Sequence, residues 1–185
     1  MDEAATDRLI VITGGPGAGK TTLIEALAAR DHAVRPEAGR AIIRDQQAIG
    51  GRGLPWADRE LFAELMLSAD LRSHACGREQ EGFVFFDRGL PDIPGYLALC
   101  GLPVPEHAER AAALFRYRRT VFIAPPWPAI FAGDAERRQD FAEAERTHDA
   151  MVASYARHGY DLIALPLASV EARIVFVLGH LAGAG

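Results

Sequence analysis

The stretch that most constrains this chain is Gly14-Gly15-Pro16-Gly17-Ala18-Gly19-Lys20-Thr21. It fills every fixed position of the pattern G-x-x-x-x-G-K-[ST]. The flanks agree with it. Arg8–Thr13 (RLIVIT) is a short apolar run that reads as a buried strand. From Gly19 to Arg30, Leu23, Ile24, Leu27 and Ala28 fall on one helical face. Glycines at these positions permit a backbone whose successive N–H groups converge on an anion. The helix start near Gly19 adds the positive end of its dipole. Lys20 is placed to reach β- and γ-phosphates, and the Thr21 hydroxyl to ligate Mg²⁺. Gly14 through Thr22 is therefore the candidate nucleotide contact segment.

The rest of the chain alternates short apolar runs with helical stripes. Strands are predicted at His32–Arg35, Phe83–Phe86 (FVFF), Thr120–Ala124 (TVFIA) and Asp161–Leu165 (DLIAL). Helices are predicted at Ala38–Ile49, Ala57–Cys76, Pro91–Leu99 and Pro105–Arg118. Two more are predicted, from Phe141 to about His158 and across Val170–Leu181. In the long Ala57–Cys76 helix, Phe62, Leu65, Met66, Ala69 and Ser73 form the expected buried side. Gly50–Pro55 reads as a flexible break and Ala132–Gln139 as a polar loop. Strands alternating with helices predict an α/β fold: a parallel sheet covered on both faces. At 185 residues, the expectation is one domain.

Composition narrows the partners. Net charge is −5, which argues against a broad basic surface for nucleic acid. Lysine and arginine total 20, yet the only lysine is Lys20, inside the glycine loop. The other cations are arginines, whose planar forks suit phosphate and carboxylate. No apolar run is long enough to cross a bilayer, and the acidic N-terminus carries no signal-peptide pattern. The expected compartment is the cytoplasm. Cys76 and Cys100 lack metal or redox spacing, and the six histidines form no ligand cluster.

A second set of residues carries candidate chemistry. Phe83–Phe86 runs directly into Asp87-Arg88-Gly89. An acid at the carboxyl end of a central strand, beside the phosphate loop, is the expected second Mg²⁺ anchor, directly or through water. Arg88 would lie over the transferring phosphate. Glu37 follows the second strand, on the side of the sheet where ligands bind. Its carboxylate suits taking a proton from an attacking hydroxyl, binding the acceptor, or stabilising a helix first turn. Arg40, about one turn later, suits acceptor, phosphate or plain solvent. Arg137 and Arg138 sit in Gly133-Asp134-Ala135-Glu136-Arg137-Arg138, where arginines could close over a triphosphate as a lid about residues 132–140. Trp56 and Phe62 are candidates for the acceptor side, and Pro166–Ser169 for the adenine side.

The segments GGPGAGKT, RPEAGRAII, FVFFDRGLPDIPGYL, GDAERRQ and YARHGYDLIALPLASVEARIVFVL extend over nearly the whole chain. Together they resemble the small P-loop ATPase/kinase family often labelled "AAA domain". That family is close to the ribosylnicotinamide kinase domain and more distantly similar to deoxynucleoside kinases. The resemblance implies a P-loop NTPase fold with a five-stranded parallel sheet in the order 2-3-1-4-5, helices on both faces and a lid segment. It also implies Glu37 near the acceptor hydroxyl, Asp87 and Arg88 as the acid–arginine pair, Asp92 as a further acceptor contact, and Arg137 as the lid arginine with Arg138 its neighbour. The expected reaction is transfer of the γ-phosphate of Mg-ATP to a small-molecule hydroxyl, with a nucleoside-like acceptor favoured. An NTP-hydrolysing switch or regulatory module acting through a protein partner is the alternative.

Overall fold

The computed structural model describes residues 6–131 and 140–183. The expected lid, including Arg137 and Arg138, lies outside the described residues, Asp140 excepted. The strands are β1 (Leu9–Gly14), β2 (Ala33–Arg35), β3 (Val84–Asp87), β4 (Thr120–Ala124) and β5 (Asp161–Ala164). The helices are α1 (Lys20–Ala28), α2 (Ala38–Ala48), α3 (Arg59–Arg78), α4 (Asp92–Leu99), α5 (Glu106–Leu114), α6 (Phe141–Arg157) and α7 (Val170–Ala182). The strands form one parallel sheet in the order β2-β3-β1-β4-β5, as the resemblance implied.

Burial explains the strand sequences. Every residue of β1 and β3 is buried, so both read as nearly unbroken apolar runs up to the candidate site residues. Successive side chains alternate between two cores. Leu9 and Val11 of β1, with Val84 and Phe86 of β3, join Ala63, Leu97 and Met151 on one face. Ile10, Ile12 and Phe85 join Leu23, Leu27 and Val177 on the other. The helices α3 to α6 thus cover one face and α1 and α7 the opposite face. A smaller cluster of Ile43, Leu54 and Phe62 ties α2 to α3.

Three details differ from expectation. The helix predicted over Pro105–Arg118 ends at Leu114. The chain leaves it so that Tyr117 can pack edge-on against Phe86 and His74, with its backbone N–H bonded to the Tyr160 hydroxyl. The buried face of α3 carries Phe62, Ala63, Leu67, His74 and Gly77, whereas Leu65, Met66, Ala69 and Ser73 are only half-buried. Small and polar residues mark that face, so an apolar count turns the helix about one position too far. The expected break at Gly50–Pro55 is a pinned turn: Gln46 accepts the Gly53 N–H at 2.9 Å through its side chain and the Gly51 N–H at 2.7 Å through its backbone.

The register brings the functional ends together. Ile12 of β1 lies beside Asp87 of β3, and Gly14 beside Ala124 of β4. The glycine loop and the Asp87-Arg88 turn therefore leave the same edge of the sheet side by side.

Candidate active site

The loop between β1 and α1 is built by close backbone approach. A Cβ on Gly15 would lie 2.3 Å from the Ala144 carbonyl oxygen of α6, so only glycine fits. Gly19 holds the left-handed conformation (φ 76°) and opens α1 with no side-chain cap. The first N–H groups of α1 thus point out of the helix without a side-chain partner, the arrangement that attracts phosphate. Lys20 is 6% exposed and donates to the Gly15 carbonyl at 2.7 Å, folding back over the loop that it serves.

Thr21 donates to Asp87 Oδ2 at 3.4 Å, while Asp87 Oδ1 is buried without a hydrogen bond. Burial, with Glu37 nearby, raises the Asp87 carboxyl above its usual range; Lys20 and Arg88 oppose the shift. A hydroxyl and an unsatisfied carboxylate oxygen, both hard donors, fit Mg²⁺.

Arg88 is the hinge of the site. It adopts φ 76°, rare for a residue with a side chain and unfavourable by about 1–2 kcal/mol. Its backbone N–H bonds Ile12 at 3.0 Å, and its guanidinium bonds Glu37 at 3.0 Å and Asp92 at 2.9 Å. Burial works against its charge, but Glu37, Asp92 and Asp87 outweigh that and hold the guanidinium more firmly protonated than usual. Glu37 is also 3.5 Å from Arg40.

Asp92 is buried and fully engaged. Its Oδ1 accepts from Thr13 (2.7 Å) and Arg88, and its Oδ2 from the Gly89 N–H (3.0 Å) and the Tyr155 hydroxyl (2.6 Å). With four donors on two oxygens, it fixes the Arg88 turn to β1 and α6.

Two cavities meet here. One, of about 440 Å³, runs along the glycine loop from Lys20 and Thr21 to Trp127, Ile130, Ala168, Ser169 and Arg173. The other, of about 470 Å³, is walled by Trp56, Phe62, Met66 and Tyr96, and by Asp70 and Asp92. Pro16, Glu37 and Arg88 line both. Glu37 and Arg88 therefore stand at the junction, Asp87 and Thr21 beside the first cavity, and Arg40 in the wall of the first alone.

Sequence reasoning missed three residues. Arg173 is 2% exposed, bonds the Pro166 and Ala18 carbonyls at 2.9 and 2.8 Å, and lies 4.8 Å from the Trp127 ring centroid. An arginine inside the apolar Val170–Leu181 stripe was its signal. Tyr155 gave none, because an aromatic on a helix face reads as core. Asp70 lies between Leu67 and His74 on the buried face of α3, and a carboxylate in that position could have been noticed. Burial first, then Asp92 and Glu37, push the Asp70 carboxyl up to about 8 against the pull of Arg88.

A parallel sheet with a glycine cradle, a buried lysine and a threonine–aspartate pair at its mouth defines a P-loop nucleotide-binding protein of the kinase/ATPase type. Residues 9–173 match the family described as "AAA domain", and the chain belongs to that family. It is 31% identical over 150 residues to the tRNA modification GTPase MnmE of Sphingopyxis alaskensis, spanning 80% of this chain and 30% of that protein. Among solved structures, NadR in complex with NR aligns with a TM-score of 0.67 at 18% identity, over 96% of this chain and 50% of that one. Deoxyadenosine kinase from M. mycoides aligns with a TM-score of 0.65 at 16% identity, over 96% of this chain and 100% of that one. Thymidylate kinase from Ehrlichia chaffeensis aligns with a TM-score of 0.62 at 16% identity, over 95% and 98%. Among the described residues no helix is long and apolar enough to cross a membrane.

Proposed function

We propose that this protein is a kinase that transfers the γ-phosphate of ATP to the hydroxyl of a small molecule. The observation that carries the reading is the meeting of two cavities at Glu37 and Arg88, one of them lined by the glycine loop. A hydrolase needs room for water; a second cavity of about 470 Å³ with aromatic walls offers room for an acceptor. Two of the similar folds are kinases by name, and a NadR structure holds NAD and AMP-PNP.

Gly14–Thr22 would hold the phosphates of ATP, and Trp127, Ala168 and Arg173, which line the other end of that cavity, would face its base. Thr21 and Asp87 would hold Mg²⁺, which when bound neutralises charge on the phosphates. Lys20 and Arg88 supply fixed positive charge along the path of the phosphoryl group, and Arg137 and Arg138 are assigned the same task. Glu37 takes the proton from the attacking hydroxyl. Its position suits a hydroxyl better than a phosphate acceptor, which is mostly dianionic at neutral pH and would be repelled. Asp92 orients Arg88 and borders the acceptor cavity.

The test is ADP release with Mg-ATP over a panel of hydroxyl compounds and their phosphomonoesters. The expected result is ADP formation that depends on a hydroxyl acceptor, with a matching phosphorylated product, and that weakens in magnesium titrations of Asp87→Asn. Acceptor-independent hydrolysis with no phosphorylated product would sink the kinase reading. It would favour the NTP-hydrolysing alternative, which the likeness to MnmE supports.

A further inference from the structure

The carboxyl group of Asp70 has no role in the chemistry above, yet it lines the acceptor cavity. It stands out from the other acids there. Glu37 is held by Arg88 and Arg40, and Asp92 by four donors. Asp70 has no hydrogen bond or ion pair among the described residues. A half-buried carboxyl without a partner is unfavourable unless something else satisfies it. Leu67 and His74, its neighbours on the buried face, belong to the packed interior, and His74 is turned to the Arg116 carbonyl at 2.9 Å.

The surrounding wall says what kind of partner fits. Phe62 and Tyr96 meet edge to face at 5.6 Å, and Trp56, half exposed, stands at the rim with Met66 below. Flat aromatic walls beside a carboxyl that has no hydrogen bond or ion pair among the described residues favour a planar ring that presents a donor at its edge. We propose that Asp70 reads the end of the acceptor remote from its reacting hydroxyl, and that this end is a planar nitrogen heterocycle presenting an N–H donor. The inference rests on the kinase reading for the direction of the acceptor, with its hydroxyl at Glu37. The raised titration of Asp70 supports it, because a carboxyl kept neutral can donate to a ring nitrogen while accepting from an adjacent amine. An unmatched donor or acceptor in such a place discriminates strongly between near-identical ligands.

The experiment measures binding, so that it stays informative whatever the fate of the phosphate. Adenosine and cytidine are titrated calorimetrically against their analogues that lack the exocyclic amine, with wild-type protein and with Asp70→Leu and Asp70→Asn. Leucine matches the apolar walls, and asparagine keeps an accepting oxygen. Thermal melts of each variant confirm folding. The expected result is about tenfold or greater preference for at least one amine-bearing nucleoside in the wild type. Asp70→Leu abolishes that preference and Asp70→Asn retains part of it. Equal affinity for amine-bearing and amine-free rings in the wild type overturns the proposal, as does preference unchanged in Asp70→Leu or failure of every nucleoside to bind. If binding obeys the expectation but no phosphorylated product forms, the kinase reading fails while the recognition by Asp70 stands.

Discussion

The two cavities that share Glu37 and Arg88 are made in opposite ways. On the nucleotide side the phosphate end is mostly backbone: one contiguous loop, one helix start and one lysine, positioned by a strand buried at every residue. The acceptor side is mostly side chain, gathered from the β2–α2 turn, α3, the β3–α4 turn and α6. A backbone site is fixed by local geometry and tolerates little change. A side-chain cavity on the same scaffold can be refitted residue by residue. Under the proposed function, one catalytic frame can thereby serve different acceptors.

The comparison is broken first at the nucleotide side. Lys20→Ala should reduce kcat/KM by about 10³ or more, because the loop holds the chain's only lysine and removes its charge from the phosphates. Residual activity near wild type in steady-state assays would show that the loop does not act on the transferring phosphate. At the junction, Glu37→Gln should lower kcat by about 10²–10⁴ while leaving ATP affinity nearly intact. Full phosphotransfer at saturating acceptor would remove Glu37 from the proton-transfer role.

Smaller effects sharpen the acceptor side. Tyr155→Phe removes one of four donors to Asp92 and leaves the buried packing in place. The expected loss is about 1 kcal/mol in a denaturant titration. A modest fall in kcat should accompany it, through looser Arg88. Unchanged kcat with lowered stability would make the Tyr155–Asp92 bond purely structural.

A further expected effect is on the pH dependence of stability. The Asp70 carboxyl is pushed up to about 8, far above its unfolded value, so the folded chain holds this proton more tightly. That contribution is full below about pH 4, where both states are protonated, and is lost as pH rises through about 8. Wild type should therefore lose thermal stability relative to Asp70→Asn between pH 5 and pH 8. A difference in Tm that stays constant across that range would mean that Asp70 ionises normally in the folded chain.

The sequence alone determined much of this protein because its strongest signals are local. Five apolar runs and the helical stripes between them specified an alternating parallel fold, since a central strand buried on both faces can contain little else. Thr120–Ala124 was bounded at both ends, and GGPGAGKT announced its own backbone. The Asp87-Arg88 turn and Glu37 were legible because strand ends in such sheets face the ligand. Only the tertiary structure decided what these residues touch. It turned α3 so that Asp70, in a helix otherwise read by its apolar side chains, lines the cavity. It gave Asp92 four donors from residues as far apart as Thr13 and Tyr155, and placed Arg173 under Trp127. Those contacts depend on how elements pack across the sheet, and periodicity within one element carries no information about its neighbours.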